Sequence, residues 1–376
     1  MVFTLEALPA QHGDSLLLHF GTKQKPGLVM IDAGPDGVLA DATLPRLQAI
    51  HKARGGTGRL FIDLGCVSHI DDDHVNGIDV LTGDLVANNV QPVIVFERFW
   101  HNSFNDLIDD DDAELGTAKT VVNAASLGGS VESNTSAVIA SVSQGRRVRQ
   151  NLISLGIDGN KPFNSLILAG HKKSPFKLGN LKITVVAPLM EQVVKLQKKW
   201  DIDLKAMKKA KTSKAEVAEF LDNSVPNLSS IVLLVESGKK KMLLTGDGRG
   251  DHTLAGLEKT GIVKKGGKLH VDILKLPHHG SVRNVDASYF KRITADHYIA
   301  SANGRDGNPD VPTLQLISKA RPDDDFVLHF THPLDEFIDQ AVAKKIKAFL
   351  AKETKAGRKY EVRFREKNEP SVSIAL

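Results

Sequence analysis

The chain has 376 residues, 41% of them apolar, with a formal charge of +4 and a pI near 8.9. That length supports one large domain or two ordinary ones, and no apolar run reaches the roughly 20 residues of a membrane helix. The single cysteine, Cys66, excludes an intramolecular disulfide framework, and "MVFTLEALPAQHG" lacks the marks of a secretory leader. We therefore expect a soluble cytoplasmic chain whose mild basic balance permits, but does not demand, an anionic partner.

In chain order, "VFTLEAL", "DSLLLHF", "LVMID" and "LFIDLGCVS" read as strands, being apolar, rich in β-formers and bounded by Gly or Pro. "ATLPRLQAIHKAR" reads as a helix between the third and fourth, "VNGIDVLTG" as a short helix, and "PVIVFERF" as a further strand. From 101 to 226 the character changes. "DLIDDDDAELG" and "SLGGSVESNTSAVIASVSQG" are polar loops or exposed helices, while "LKITVVAP" is a strand. "MEQVVKLQKKWDIDLKAMKKAKTSKAEVAEFLDN" reads as helical, with seven lysines from Lys198 to Lys214, ordinarily a solvated face.

After 227 the strands return as "SSIVLLVES", "KKMLLTGD", "VDILKLPHH", "HYIASAN" and "DFVLHFTH". An amphipathic helix, "IDQAVAKKIKAFLAKETKAG", and two last strands, "KYEVRFRE" and "SVSIAL", close the chain. No tandem repeat is present. Two strand-rich halves with helices between the strands imply an α/β (α+β) architecture, two sheets face to face with helices outside. A single domain over 1–376 is expected, with 101–226 inserted in it as a lid over a cleft or a docking surface.

"SHIDDDHVNG", residues 68–77, places two histidines and three aspartates within six positions. Acidic runs are usually solvated, and "DLIDDDDAEL" and "RPDDDF" are best left as surface loops. This run differs because it follows an apolar strand and is bracketed by histidines. Carboxylates beside buried surface without a counter-ion are costly, and a cation removes the conflict. On an extended segment His69, Asp71 and Asp73 share one side. A turn would bring His74 back to them and leave Asp72 pointing into solvent. Two further strand ends carry ligand types: Asp247 after "KMLLT", and His278 and His279 after "DILKLP". Neighbours on a strand point oppositely, so one histidine, expected to be His278, is a ligand and the other faces substrate.

HxDxDH at 69–74 resembles the HxHxDH signature of the metallo-β-lactamase fold, with Asp71 in place of the second histidine. "QHGDSLLL", "LVMIDAG", "SSIVLLVESGKKKMLLTGD", "DILKLPHHGS" and "IASANGRDGNPDVPTLQLI" follow in the order seen in the hydrolase domain of bacterial DNA-uptake competence (ComEC-type) proteins. The similarity covers 8–100 and 227–335. It implies a four-layer αββα sandwich and two divalent metal ions, zinc or manganese. Site one would hold His69 and Asp71, site two Asp73, His74 and His278, with Asp247 bridging and Asp32 orienting the ligands from behind.

The resemblance further implies hydrolysis by a metal-bound hydroxide, most simply of a phosphodiester in a nucleic acid or nucleotide. Asp73 or the bridging group would hold the water, and His279 would give a proton to the leaving group. Ser281, Asn303, Arg305 and Asn308 are candidates to bind an anionic substrate. Two positions depart from the family. Asn308 stands where "GHP" has histidine, and Asn227 or Ser229 stands where many members have another. A catalytically weak metal-binding interaction module therefore stays open beside the hydrolase, as do lactonase and thioesterase activities of the same fold. The family's membrane-channel segments are absent, so DNA import is not carried over. GxxxxGK[ST] and GxSxG are absent too. His12, His19, His51 and His297 read as packed or surface residues, and His101 and His332 as weaker candidates for the cleft.

Overall fold

The computed structural model describes residues 1–103, 133–195 and 229–376, and side chains within 133–195 from Ser143 onward. The first sheet begins as a meander of β1 (Val2–Ala7), β2 (Leu16–Gly21) and β3 (Pro26–Ile31). A short parallel ladder pairs β4 (Leu60–Ile62) with β6 (Ile94–Phe96). β5 (Leu64–Val67) and β7 (Phe99–His101) extend the first sheet in parallel, and the C-terminal β16 (Val372–Ala375) returns to pair with β1. Its order is β16-β1-β2-β3-β5-β7.

The second sheet has eight strands. β8 (Phe176–Leu178), β9 (Leu181–Ala187), β10 (Val232–Ser237) and β11 (Lys240–Leu244) are antiparallel neighbours. β12 (Leu269–Lys275), β13 (Ile293–Ala300), β14 (Val327–Phe330) and β15 (Glu361–Phe364) then add in parallel.

Three apolar layers hold these sheets. Leu5, Leu18, Ile31, Cys66 and Trp100 of the first sheet meet Ile183, Leu233, Met242, Ile273 and Ile299 of the second. On the outer face of the first sheet, Leu17, Met30 and Val67 pack on Leu47, Val75, Ile78, Leu81, Val148 and Leu152. Those side chains come from the helices Leu44–Ala53, Asp72–Val86 and Ser133–Ser154. The helices Gly250–Lys259, Ala287–Arg292, Val311–Ala320 and Gln340–Lys355 cover the second sheet through Leu257, Phe290, Ile317, Ile346 and Phe349. β2 is covered on both faces, which is why it reads "LLL" rather than apolar-polar alternation. The fold is a four-layer αββα sandwich.

The structure departs from the sequence expectation in three places. "LFIDLGCVS" divides at Asp63, whose carboxylate accepts the Leu28 amide at 2.9 Å; β4 and β5 then join different sheets. "PVIVFERF" divides likewise into β6 and β7. The motif helix is longer than expected and begins inside the motif, at Asp72. The described part of 101–226 is built into the layers, with the expected strand "LKITVVAP" among them. Its helix Ser133–Ser154 packs on Asp72–Val86, where Arg147 pairs with Asp79, and β8 and β9 are sheet strands. The lysines from Lys198 to Lys214, the acidic run at 106–116 and Asn227 lie outside the described residues. Among the described residues no helix is long and apolar enough to cross a membrane.

The C-terminal ends of β3, β5, β11, β12 and β13 open into loops that meet along one edge of the sandwich. Sites in α/β proteins form at such edges.

Candidate metal centre

β5 ends at Val67 and delivers Ser68 and His69 to that edge. Asp71 immediately precedes the helix Asp72–Val86 with extended backbone (φ −65°, ψ 146°), and its side chain makes no capping bond, so it stays available. Asp73 and His74 follow in the first helical turn, where the partial positive charge of the helix N-terminus favours carboxylates. Asp72 points away, though not into solvent. Its Oδ1 accepts hydrogen bonds from Asn76 (2.9 Å) and from Gln144 of the neighbouring helix (2.7 Å). A strand end and a helix start, rather than strand alternation, thus gather the motif's side chains.

Asp247 arrives from β11 through Gly246, which has φ +47°. A Cβ there would lie 2.6 Å from Ser230 Oγ and 2.9 Å from Ser68 Cβ, so only glycine lets the two loops approach. His278 and His279 follow β12. The expectation that they point oppositely fails because the strand stops at Lys275. Both residues are left-handed (φ 47° and 56°), a conformation that costs about 1–3 kcal/mol per non-glycine residue. That turn aims both rings at Asp247. His278 Nε2 lies 3.5 Å from its Oδ2, and His279 Nε2 lies 3.4 Å from its Oδ1.

Two halves result, one on each oxygen of Asp247. On the Oδ2 side stand His69 Nε2 (3.8 Å) and His278 Nε2, with Asp71 Oδ2 3.4 Å from His69. On the Oδ1 side stand His74 Nε2 (3.3 Å) and His279 Nε2, with Asp73 Oδ2 3.5 and 3.1 Å from them. The sequence grouping put His278 with Asp73 and His74; the structure brings His279 there instead. His279 is also buried, with Nδ1 2.9 Å from Ser301 O and Nε2 inside the cluster, a place that does not suit the expected proton donor to a leaving group.

The hydrogen bonds behind the rings fix their tautomers. His74 Nδ1 donates to Asp32 (2.9 Å) and His279 Nδ1 to Ser301 O. His278 Nδ1 donates to Asn284 Oδ1 (2.8 Å), whose amide nitrogen is committed to Asp247 O. Ser68 gives its hydroxyl hydrogen to Asp32 (2.6 Å), so His69 Nδ1 donates to Ser68 Oγ (3.1 Å). In the neutral form of each ring, the Nε2 atom therefore presents its lone pair to the cluster. His74 Nε2 and His279 Nε2 lie only 3.2 Å apart. Two acceptors at that distance repel unless a proton or a cation lies between them.

Charge makes the same demand. Burial would lower His74, yet Asp73, Asp247 and Asp32 hold it well above the ordinary imidazole value. Burial opposes protonation of His279 too, but Asp247 holds it up at about 9. Burial would raise Asp73 and Asp247, and the surrounding imidazoles carry both below the usual carboxylate range. His69 Nε2 and Asp247 Oδ1 are buried with no hydrogen-bond partner. Ligand-type atoms of Asp14, His74, Asp247 and His279 lie within 4.8 Å of one another, as do those of His69, Asp73 and His74. Clustered imidazole nitrogens and carboxylate oxygens of this kind fit a divalent cation.

The remaining expectations divide. Asp32, left-handed at φ 57°, stands behind His74 and also accepts the Ser68 amide at 2.7 Å. Of the four substrate-binding candidates only Arg305 is exposed, its Nη1 3.2 and 3.3 Å from the two ring nitrogens of His12. Ser281, Asn303 and Asn308 are buried. Asn303 Oδ1 accepts the Arg305 amide (3.2 Å) and so shapes the loop that carries Arg305. His332, pushed down to about 4 by burial, bonds Ala302 O (3.1 Å), and His101 faces Gly145 O (3.2 Å). Sequence reasoning missed Asp14, Lys275 and Asn284. Only their place inside "QHGDS", "ILKLPHHG" and "GSVRN" hinted at them.

No family model matches the chain, and no curated protein matches it. Among solved structures, CmlA, a diiron beta-hydroxylase from Streptomyces venezuelae, aligns with 100% of this chain at 10% identity and a TM-score of 0.41. The alignment spans only 55% of CmlA. A metallo-beta-lactamase from Cronobacter sakazakii (Enterobacter sakazakii) with a HARLDQ motif aligns over 93% of this chain and 86% of its own, at 13% identity and a TM-score of 0.28. Likenesses this loose carry no weight for the site, which stands on its own geometry.

Proposed function

We propose that the chain is a metal-dependent hydrolase with two divalent-cation positions, one on each side of Asp247, acting on phosphodiesters. The observation that carries this reading is the buried convergence of imidazoles on both oxygens of Asp247, with His74 Nε2 and His279 Nε2 3.3 and 3.4 Å from its Oδ1 and His278 Nε2 3.5 Å from its Oδ2. One position would be held by His69, Asp71, His278 and Asp247 Oδ2. The other would be held by Asp73, His74, His279 and Asp247 Oδ1. Asp14 faces the Nδ1 side of the rings and stays outside the ligand set. Mixed imidazole and carboxylate donors suit zinc or manganese. Such cations supply Lewis acidity toward water and toward a phosphoryl oxygen.

The side chains of Asp71 (30%), Asp73 (21%) and His278 (29%) keep partial exposure, whereas His69 and His74 have none. Substrate would therefore meet the centre on the Asp71–Asp73–His278 face, with Asp73 placed to orient water. Arg305 lies on His12, and His12 is close enough to Asp73 and His279 to feel their charges. This puts one cationic side chain at the rim, suited to a phosphate oxygen. Motif order similar to the competence hydrolase domain supports a nucleic acid or nucleotide as the substrate.

Assays with manganese or zinc should show cleavage of bis-p-nitrophenyl phosphate in preference to lactone, thioester and β-lactam substrates. Asp73→Ala should abolish that cleavage with the circular dichroism spectrum unchanged. Preference for a lactone or thioester would contradict the phosphodiester reading, and an active Asp73→Ala would contradict the site assignment.

A further inference from the structure

Asp14 and Lys275 form an ion pair with both side chains fully buried, one from the loop between β1 and β2, the other from the end of β12. Such a pair gives little stability over apolar side chains of equal volume, so stability does not explain it. Its surroundings do. Asp14 Oδ1 lies 3.5 Å from His279 Nδ1 and Asp14 Oδ2 lies 3.8 Å from His74 Nδ1, while the Asp14 amide donates to Asp73 O at 3.3 Å. One residue thus touches all three protein groups on the Oδ1 side of Asp247. Among the described residues, no hydrogen bond or ion pair joins it to His69, Asp71 or His278.

The loop is built for this approach. A Cβ on Gly13 would lie 1.9 Å from Asp73 O, so only glycine fits beneath the motif. Gly13 O accepts the Ser301 hydroxyl at 2.7 Å, and Ser301 O in turn receives His279 Nδ1. Lys275 Nζ holds Asp14 from the other side and reaches Gly246 O at 3.4 Å, next to Asp247.

We propose that Asp14, clamped by Lys275, is a positioning residue whose carboxylate stands behind the His74 and His279 rings and so sets cation affinity at that half of the centre alone. The inference rests on the metal-centre reading above. Partners that orient ligating histidines typically contribute about 10- to 100-fold in metal affinity.

The test is zinc titration against a chromophoric chelator, with thermal melts, on wild type, Asp14→Asn, Lys275→Met and the double variant Asp14→Asn/Lys275→Met. Wild type should bind two ions. Asp14→Asn should weaken one of them about 10- to 100-fold and leave the other unchanged. Lys275→Met strands the Asp14 charge and should lower the melting temperature. The double variant removes both charges, so it should recover thermal stability while one ion stays weak. Recovery of stability and affinity together would show a merely structural pair and overturn the inference, as would equal weakening of both ions in Asp14→Asn. Two ions bound with unchanged affinity in every variant would overturn the inference alone. Fewer than two ions on the wild-type chain would overturn the metal-centre reading, and this inference with it.

Discussion

Two clusters of buried charge sit in the same sandwich, and they differ in whether their charges are matched. Glu6 on β1 is buried, and its carboxylate is fully occupied. Arg46 Nε donates to Oε2 at 2.7 Å, Arg46 Nη2 and His19 lie on Oε1, and the Ser371 hydroxyl reaches Oε2 at 3.3 Å. The cluster around Asp247 has the opposite character. Its carboxylates outnumber the lysines and arginines within reach, and its four imidazoles turn their Nε2 atoms inward to Asp247. A matched cluster holds two elements together, whereas an unmatched one is held ready for something absent from the chain itself. The same residue types serve both ends, so composition alone does not separate them.

The largest effect should come from the residue shared by both halves. Asp247→Ala should eliminate both cation positions and reduce hydrolysis by more than about a hundredfold, since even outer partners of ligands contribute about 10- to 100-fold. Steady-state rates and metal content check this. If one ion bound normally, Asp247 would not be common to both halves.

Glu6 should instead show up in stability. Burial raises its pKa, but bonding to Arg46 and His19 outweighs burial and holds it at about 2 against an ordinary 4.5. A depressed folded pKa stabilises above the unfolded value and is lost as pH falls through the folded one. Glu6 should therefore contribute about 3 kcal/mol at neutral pH, fading between about pH 4.5 and pH 2. Melts of Glu6→Gln should run below wild type at pH 7 and converge with it near pH 2, with metal content unchanged. A gap independent of pH would contradict the assignment.

Arg305→Ala should have the smallest effect. Exposed charge pairs contribute about 0.2–1 kcal/mol, so KM for an anionic substrate should rise roughly two- to fivefold with kcat retained. A fall in kcat alone would place Arg305 in the chemistry instead of at the rim.

Much of the fold was legible because its signals are local. Strand-length apolar runs marked both sheets, and "SHIDDDHVNG" announced a cluster because ligand types crowd into six positions beside a buried strand. The split of "LFIDLGCVS" was not legible, since strand propensity is the same on both sides of Asp63. The return of β16 to the first sheet depends on a long-range pairing that no local pattern encodes. His278 and His279 were legible as a pair but not in their directions, because a left-handed turn after Pro277 replaces the alternation a strand would impose. Asp14 and Lys275 were invisible for a different reason. A loop aspartate and a strand lysine look ordinary until the fold buries them against each other.

Anomalous diffraction from crystals grown with manganese or zinc shows whether cations bind on both sides of Asp247. Two peaks are predicted, one between Asp247 and the His69–His278 pair and one between Asp247 and the His74–His279 pair. Clean density for these side chains without any anomalous peak at saturating metal would contradict the account.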